Sequence, residues 1–176
     1  MLVSAYVLAL ATAAASKPVV EPSAFQAYKS ACLETQADPA AIRALAGARG
    51  WNALTQAEKE AIQPGNPDAV EGWGIGAGAS RMRVSISSGA LKGLDAGGSQ
   101  TTCTLTAPQA DDDAMIKAYS QQLKRNPGDN ANDGGTRTAV WSVMGAGGRA
   151  MHYYFGGANG SERTSTLSVT VLTKAK

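Results

Sequence analysis

The sequence predicts an α+β domain. N-terminal helices and one later helix pack on one face of a mostly antiparallel sheet of about five strands. Three observations predict it. Helix starts with capping chemistry cluster between Ser23 and Ile62. Segments alternating apolar with polar residues fill the second half. One amphipathic helical pattern, opened by Asp111-Asp112-Asp113, interrupts them.

Each element follows from local signals. Ser23-Ala24-Phe25-Gln26 reads as a capping box after Pro22. Phe25, Tyr28 and Cys32 then recur at helical spacing, with Leu33 beside them. Asp38-Pro39 supplies an N-cap followed by proline at the first helical position, and Gly50 marks the stop. Ile42, Leu45 and Ala46 form the buried stripe of that helix. Thr55-Gln56-Ala57-Glu58 is a second capping box, and Pro64, Gly65 and Pro67 end the helical region. A short glycine-rich strand is expected at 71–77. The clearest strand is 81–87, where Met82, Val84 and Ile86 alternate with Arg81, Arg83, Ser85 and Ser87. A glycine-rich loop is expected over 89–99. A threonine-rich strand over 100–106 then places Cys103 and Leu105 on one face. The acidic triplet suits the positive end of a helix dipole, and Lys117, Lys124 and Arg125 lie toward its negative end. Met115, Ile116, Tyr119 and Leu123 give that helix its apolar side, and Pro127 stops it. A polar loop is expected over 126–135. Strands at 138–144, 150–155 and 165–173 complete a meander, separated by glycine-rich turns.

Composition bounds the function. The chain has 176 residues, 17% charged, with a formal net charge of +2. That is too apolar and too weakly charged for a disordered chain, and it lacks the basic excess of a non-specific nucleic-acid binder. Residues 1–16, MLVSAYVLALATAAAS, carry no charge and join an apolar run to small residues that fit an A-x-A cleavage rule. They read as a signal peptide, although no Lys or Arg precedes the apolar run; an apolar helix kept in the fold is the alternative. Residues 17–176 then form a single domain, with no later segment apolar enough to span a bilayer. Cys32 and Cys103 are the only cysteines. In an exported chain such a pair reads as one disulfide, the alternative being two separate buried thiols.

The chemistry-bearing motifs fail one by one. His152 is the sole histidine, and no G-x-S-x-G accompanies it. Asp129-Asn130-Ala131-Asn132-Asp133-Gly134 lacks the oxygen ligand at position three and the glutamate at position twelve of a calcium loop. The glycine-rich segments at 72–76 and 145–148 have no P-loop Lys-Ser/Thr. No metal, cofactor or nucleic acid is expected, and no residue is assigned a catalytic role. What remains is a surface. Arg81 and Arg83 lie opposite Met82 and Val84, and His152 shares a strand face with Tyr154. Trp141 falls on either side. Arginine with flat aromatic area suits an anionic or carbohydrate-bearing partner, whereas an ordinary solvated sheet face explains the same residues without one.

Phe25, Cys32, Asp38, Ala46 and Gly50-Trp51, followed by Thr102-Cys103-Thr104-Leu105, a helix and Trp141 in a strand, carry one resemblance. Over most of the mature region the chain resembles small exported proteins of Gram-negative bacteria whose functions are unknown. The resemblance implies a periplasmic location and implies nothing about activity. The resulting expectation is a periplasmic or secreted binding or inhibitor-like module. It would meet an envelope protein or an anionic or carbohydrate ligand through a sheet face or glycine-rich loops. A small cell-envelope hydrolase and a structural subunit of an envelope assembly are the alternatives.

Overall fold

Asp38 accepts hydrogen bonds from the backbone N–H of Ala40 (2.7 Å) and Ala41 (3.2 Å), so the helix after it starts where the Asp-Pro pair predicts. The computed structural model describes residues 23–91, 98–108, 111–145, 149–158 and 163–174. The expected leader lies outside these residues. Among the described residues are four α-helices: α1 (Ser23–Tyr28), α2 (Pro39–Ala48), α3 (Gln56–Ile62) and α4 (Asp112–Leu123). A π-helical turn, Lys29–Leu33, continues α1 and carries Cys32. Thr55 and Glu58 close the capping box of α3 reciprocally. Asp111 caps α4 by accepting from Ala114 N–H at 3.0 Å.

The sheet has eight strands rather than about five, all antiparallel. They are β1 (Asn52–Ala53), β2 (Val70–Ile75), β3 (Met82–Ala90), β4 (Gly98–Pro108), β5 (Asp129–Asp133), β6 (Thr136–Met144), β7 (Ala150–Ala158) and β8 (Thr164–Lys174). Their spatial order is β1-β2-β3-β4-β8-β7-β6-β5. The two strands that periodicity does not reveal are the two edges. β1 is a two-residue bridge, and every residue of β5 is exposed. With neither side buried, β5 has no alternation to read. Its pairing comes from the turn: Asp133 faces Thr136 across Gly134 and Gly135, whose φ values are +56° and +89°. Two central residues at positive φ make the tight hairpin turn that glycine favours. The segment expected as a polar loop is therefore half a hairpin.

α4 carries the chain from β4, in the middle of the sheet, to the far edge at β5. The meander β5 to β8 then returns, and β8 pairs with β4 over eleven residues. Side chains alternate between two faces. Val84, Leu105, Leu167, Phe155 and Ala139 form one cross-strand row on the covered face, and Ile86, Cys103, Val169, Tyr153 and Trp141 form the next. Phe25 and Tyr28 of α1 and Tyr119 of α4 pack on these rows. Tyr119 stacks on Trp141 with centroids 4.8 Å apart and donates from its hydroxyl to the carbonyls of Tyr154 and Ser168. Cys32 and Cys103 are joined in a disulfide, with Cα atoms 5.6 Å apart and both residues fully buried. It fastens the helical layer to the central strand.

One helix departs from the expected single layer. α3 lies against the other face, beside β2 and β3, where Ala61 and Ile62 share a cleft with Val70, Arg83, Ser85 and Ser87. Gly72 and Gly74 make this possible. A Cβ on Gly72 would meet the Leu54 side chain, and one on Gly74 would meet the Arg81 guanidinium.

Candidate functional site

The face opposite the main helical layer is built from the polar phase of each strand. Its residues are small and hydroxylated: Ser85 and Ser87 on β3; Thr102, Thr104 and Thr106 on β4; Thr166, Ser168 and Thr170 on β8. Antiparallel register sets them opposite one another. Thr102 faces Thr170, Thr104 faces Ser168, and Thr106 faces Thr166. Thr102 Oγ1 and Thr170 Oγ1 are hydrogen-bonded at 2.9 Å. β7 continues the rows with His152 and Tyr154, and β6 with Thr138 and Ser142. β-Branched threonine favours a strand, and its hydroxyl leaves that strand wettable on the open side.

Three groups stand out from this floor. Arg83 is exposed and has no ion pair among the described residues. It lines a cleft of about 400 Å³ between α3 and the floor, together with Ser85, Ser87, Thr104 and Thr106. Tyr154, 38% exposed, lies flat on the sheet, because its ring occupies the space a Cβ on Gly156 would take. A glycine two residues along a strand lets an aromatic ring fold down on its own face. One side of the ring is thus held by backbone and the other is left to solvent. His152 is exposed, and its Nδ1 lies 2.9 Å from Ser142 Oγ on the neighbouring strand.

The open face therefore gathers Arg83, His152 and Tyr154. Arg81 reaches this face too, over Gly74, the register partner of Arg83, but is engaged there, and only Trp141 is placed elsewhere. Arg81 sits in the turn before β3 and pairs with Glu58 of α3, so its guanidinium braces the helix over Gly74. Trp141 is fully buried on the covered face. The register puts Arg83, Thr106, Thr166 and Gly156 in a single row across β3, β4, β8 and β7. Three strand intervals separate its ends, about 14 Å at a spacing of about 4.8 Å. The hydroxyl rows are the part that motif reasoning passes over. Their signal was the Thr-x-Thr-x-Thr phase of 102–106 and the similar phase of 166–170. What joins them is the β4–β8 pairing, which sets Thr102 against Thr170 and Thr106 against Thr166 across distant parts of the chain.

Among the described residues no cluster of three or more His, Cys, Asp or Glu side chains is placed to hold a metal ion. No described helix is long and apolar enough to cross a membrane. Comparison with protein-family models, curated proteins and solved structures finds no match.

Proposed function

We propose that this protein is an exported, non-enzymatic binding module that holds an anionic carbohydrate of the cell envelope on the open face of its sheet. The observation that carries this reading is the row from Arg83 to the flattened Tyr154 ring across a floor of hydroxyl groups. Hydroxyls donate and accept in any rotamer, which suits the mixed donors and acceptors of a sugar. A rigid aromatic plane covers the apolar side of a sugar ring, and a guanidinium pairs with a carboxylate in a planar fork. The row is long enough for an oligosaccharide. The buried disulfide fits an oxidising compartment, in keeping with export.

Cosedimentation with insoluble peptidoglycan, whose stem peptides and lactyl groups carry carboxylates, tests the reading. Wild type should sediment with it, and less so as salt rises. Arg83→Ala and Tyr154→Ala should each weaken capture about tenfold, the size of one lost charge-assisted hydrogen bond or stacking contact. Equal capture of wild type and both variants rejects the open face as the site.

The Ser142–His152 contact favours a second reading, a small envelope hydrolase. A serine within reach of an imidazole is the core of a nucleophile–base pair. Against it, no carboxylate among the described residues hydrogen-bonds the other ring nitrogen. Turnover of model esters that vanishes in both Ser142→Ala and His152→Ala would favour the hydrolase over the binding module.

A further inference from the structure

On the opposite side of the sheet, residues of the π-helical turn and of α4 face one another across a gap. Between them lies a second cleft of about 400 Å³, within the range of small-molecule sites. Leu33, Leu123, Met151, Tyr153, Val169 and Val171 form its apolar walls. Gln36, Gln122 and Arg149 supply its polar groups, and no carboxylate among the described residues lines it. Past Gln36 and Arg149 it meets a smaller, polar hollow of about 250 Å³. That hollow shares Gln36, Arg149 and Val171 with the cleft and adds the hydroxyls of Thr35, Thr101 and Thr173. Its one acid among the described residues, Asp38, has Oδ1 committed to the N–H groups that start α2. The sequence of surfaces is thus apolar, cationic, then hydroxylated.

Two features keep the junction available. Among the described residues Arg149 has no ion pair, and its one side-chain hydrogen bond is Nη1 donating to Gln36 Oε1 at 3.5 Å. Gln36 and Ala37 hold consecutive φ values of +55° and +56°. Side-chain-bearing residues avoid this left-handed region, and backbone strain of this kind concentrates where a site needs an exact shape. Here it sets Gln36 at the junction of the two hollows.

We propose that this cleft binds a single-chain amphiphilic carboxylate, with its hydrocarbon tail against Leu123 and Met151 and its carboxylate on Arg149. The charge complementarity selects an anion, and the volume admits one chain. The site is separate from the carbohydrate face and does not rest on it.

Isothermal titration with decanoate, kept below its micelle concentration, and with uncharged 1-decanol tests the assignment. Wild type should bind decanoate at a single site, about tenfold tighter than 1-decanol. Arg149→Gln should remove that tenfold preference and leave 1-decanol binding unchanged. Leu123→Trp, which fills the cleft from its partly exposed rim, should abolish binding of both. Arg83→Ala, on the other face, should bind both like wild type. Near-ultraviolet circular dichroism matched to wild type shows that each variant is folded. Absence of saturable decanoate binding by wild type overturns the proposal, as does an Arg149→Gln variant that keeps the preference for decanoate.

Discussion

Glu58 does three things from one position. Its carboxylate accepts from the Thr55 backbone N–H at 2.9 Å, from the Thr55 hydroxyl at 3.0 Å and from the Arg81 guanidinium. It therefore closes the capping box of α3 and ties α3 to the start of β3. These bonds, the Thr55 N–H first and Arg81 next, hold its carboxyl down at about 2, against an ordinary value of 4.5. A carboxyl that is more acidic in the folded state adds stability that is complete above its unfolded value. That stability fades as pH falls through its folded value. The stability difference between wild type and Glu58→Gln should be constant above pH 4.5 and should narrow between there and about pH 2. Urea unfolding across that range measures it. A difference that does not change with pH would mean that the charge contributes nothing. The Arg43–Glu71 pair offers a contrast: both side chains are about half exposed, and such pairs contribute little.

At the scale of elements, the edges of the sheet differ most from its middle. Central strands bury apolar residues on one side and alternate in sequence. The edges, β1 and β5, are short and exposed. Short, charged edges discourage pairing with other chains, and both aspartates of β5 serve that end. β5 is held through its ladder to β6 and through the turn at Gly134 and Gly135. Open space surrounds the Cβ position of Gly134, so an alanine there meets only the cost of positive φ. Gly134→Ala should cost about 1 kcal/mol. Hydrogen exchange should show it as roughly fivefold faster exchange of the β5 amides, with the β4 and β8 amides unchanged. Equal slowing or acceleration throughout the sheet would show that the hairpin unfolds only with the whole molecule.

Across the whole molecule, two meanders of four strands, each preceded by helical structure, meet at β4 and β8. No residue repeat marks this arrangement. The first half contributes Cys32 and Cys103, 71 positions apart, so the disulfide closes a long loop entirely within it. The chain-entropy model values such a loop at about 4 kcal/mol. Cys32→Ser/Cys103→Ser should lose about that much in urea unfolding, and reduced wild type should match it. The linkage also joins the layer that walls the apolar cleft to the strand whose other face presents Thr102 and Thr104. Loss of well under 1 kcal/mol would show that the unlinked chain is already constrained by its core.

Much of the fold was legible one residue at a time. The caps at Asp38, Thr55 and Asp111 lie where their local hydrogen bonding requires, because capping chemistry spans only three or four residues. The alternation around Val84 and Val169 foretold buried strands, since period two is a property of the strand itself. The cysteine pair was legible as a pair. By itself, then, the sequence determined the helix starts, the central strands and their buried phase. Tertiary structure alone decided the strand order, the placement of α3 on the open face and the burial of Trp141. It also decided that Arg81 braces a helix while Arg83 stays free. These outcomes depend on which distant segments pair, and hydrogen bonding between β4 and β8 carries no mark in either segment taken alone.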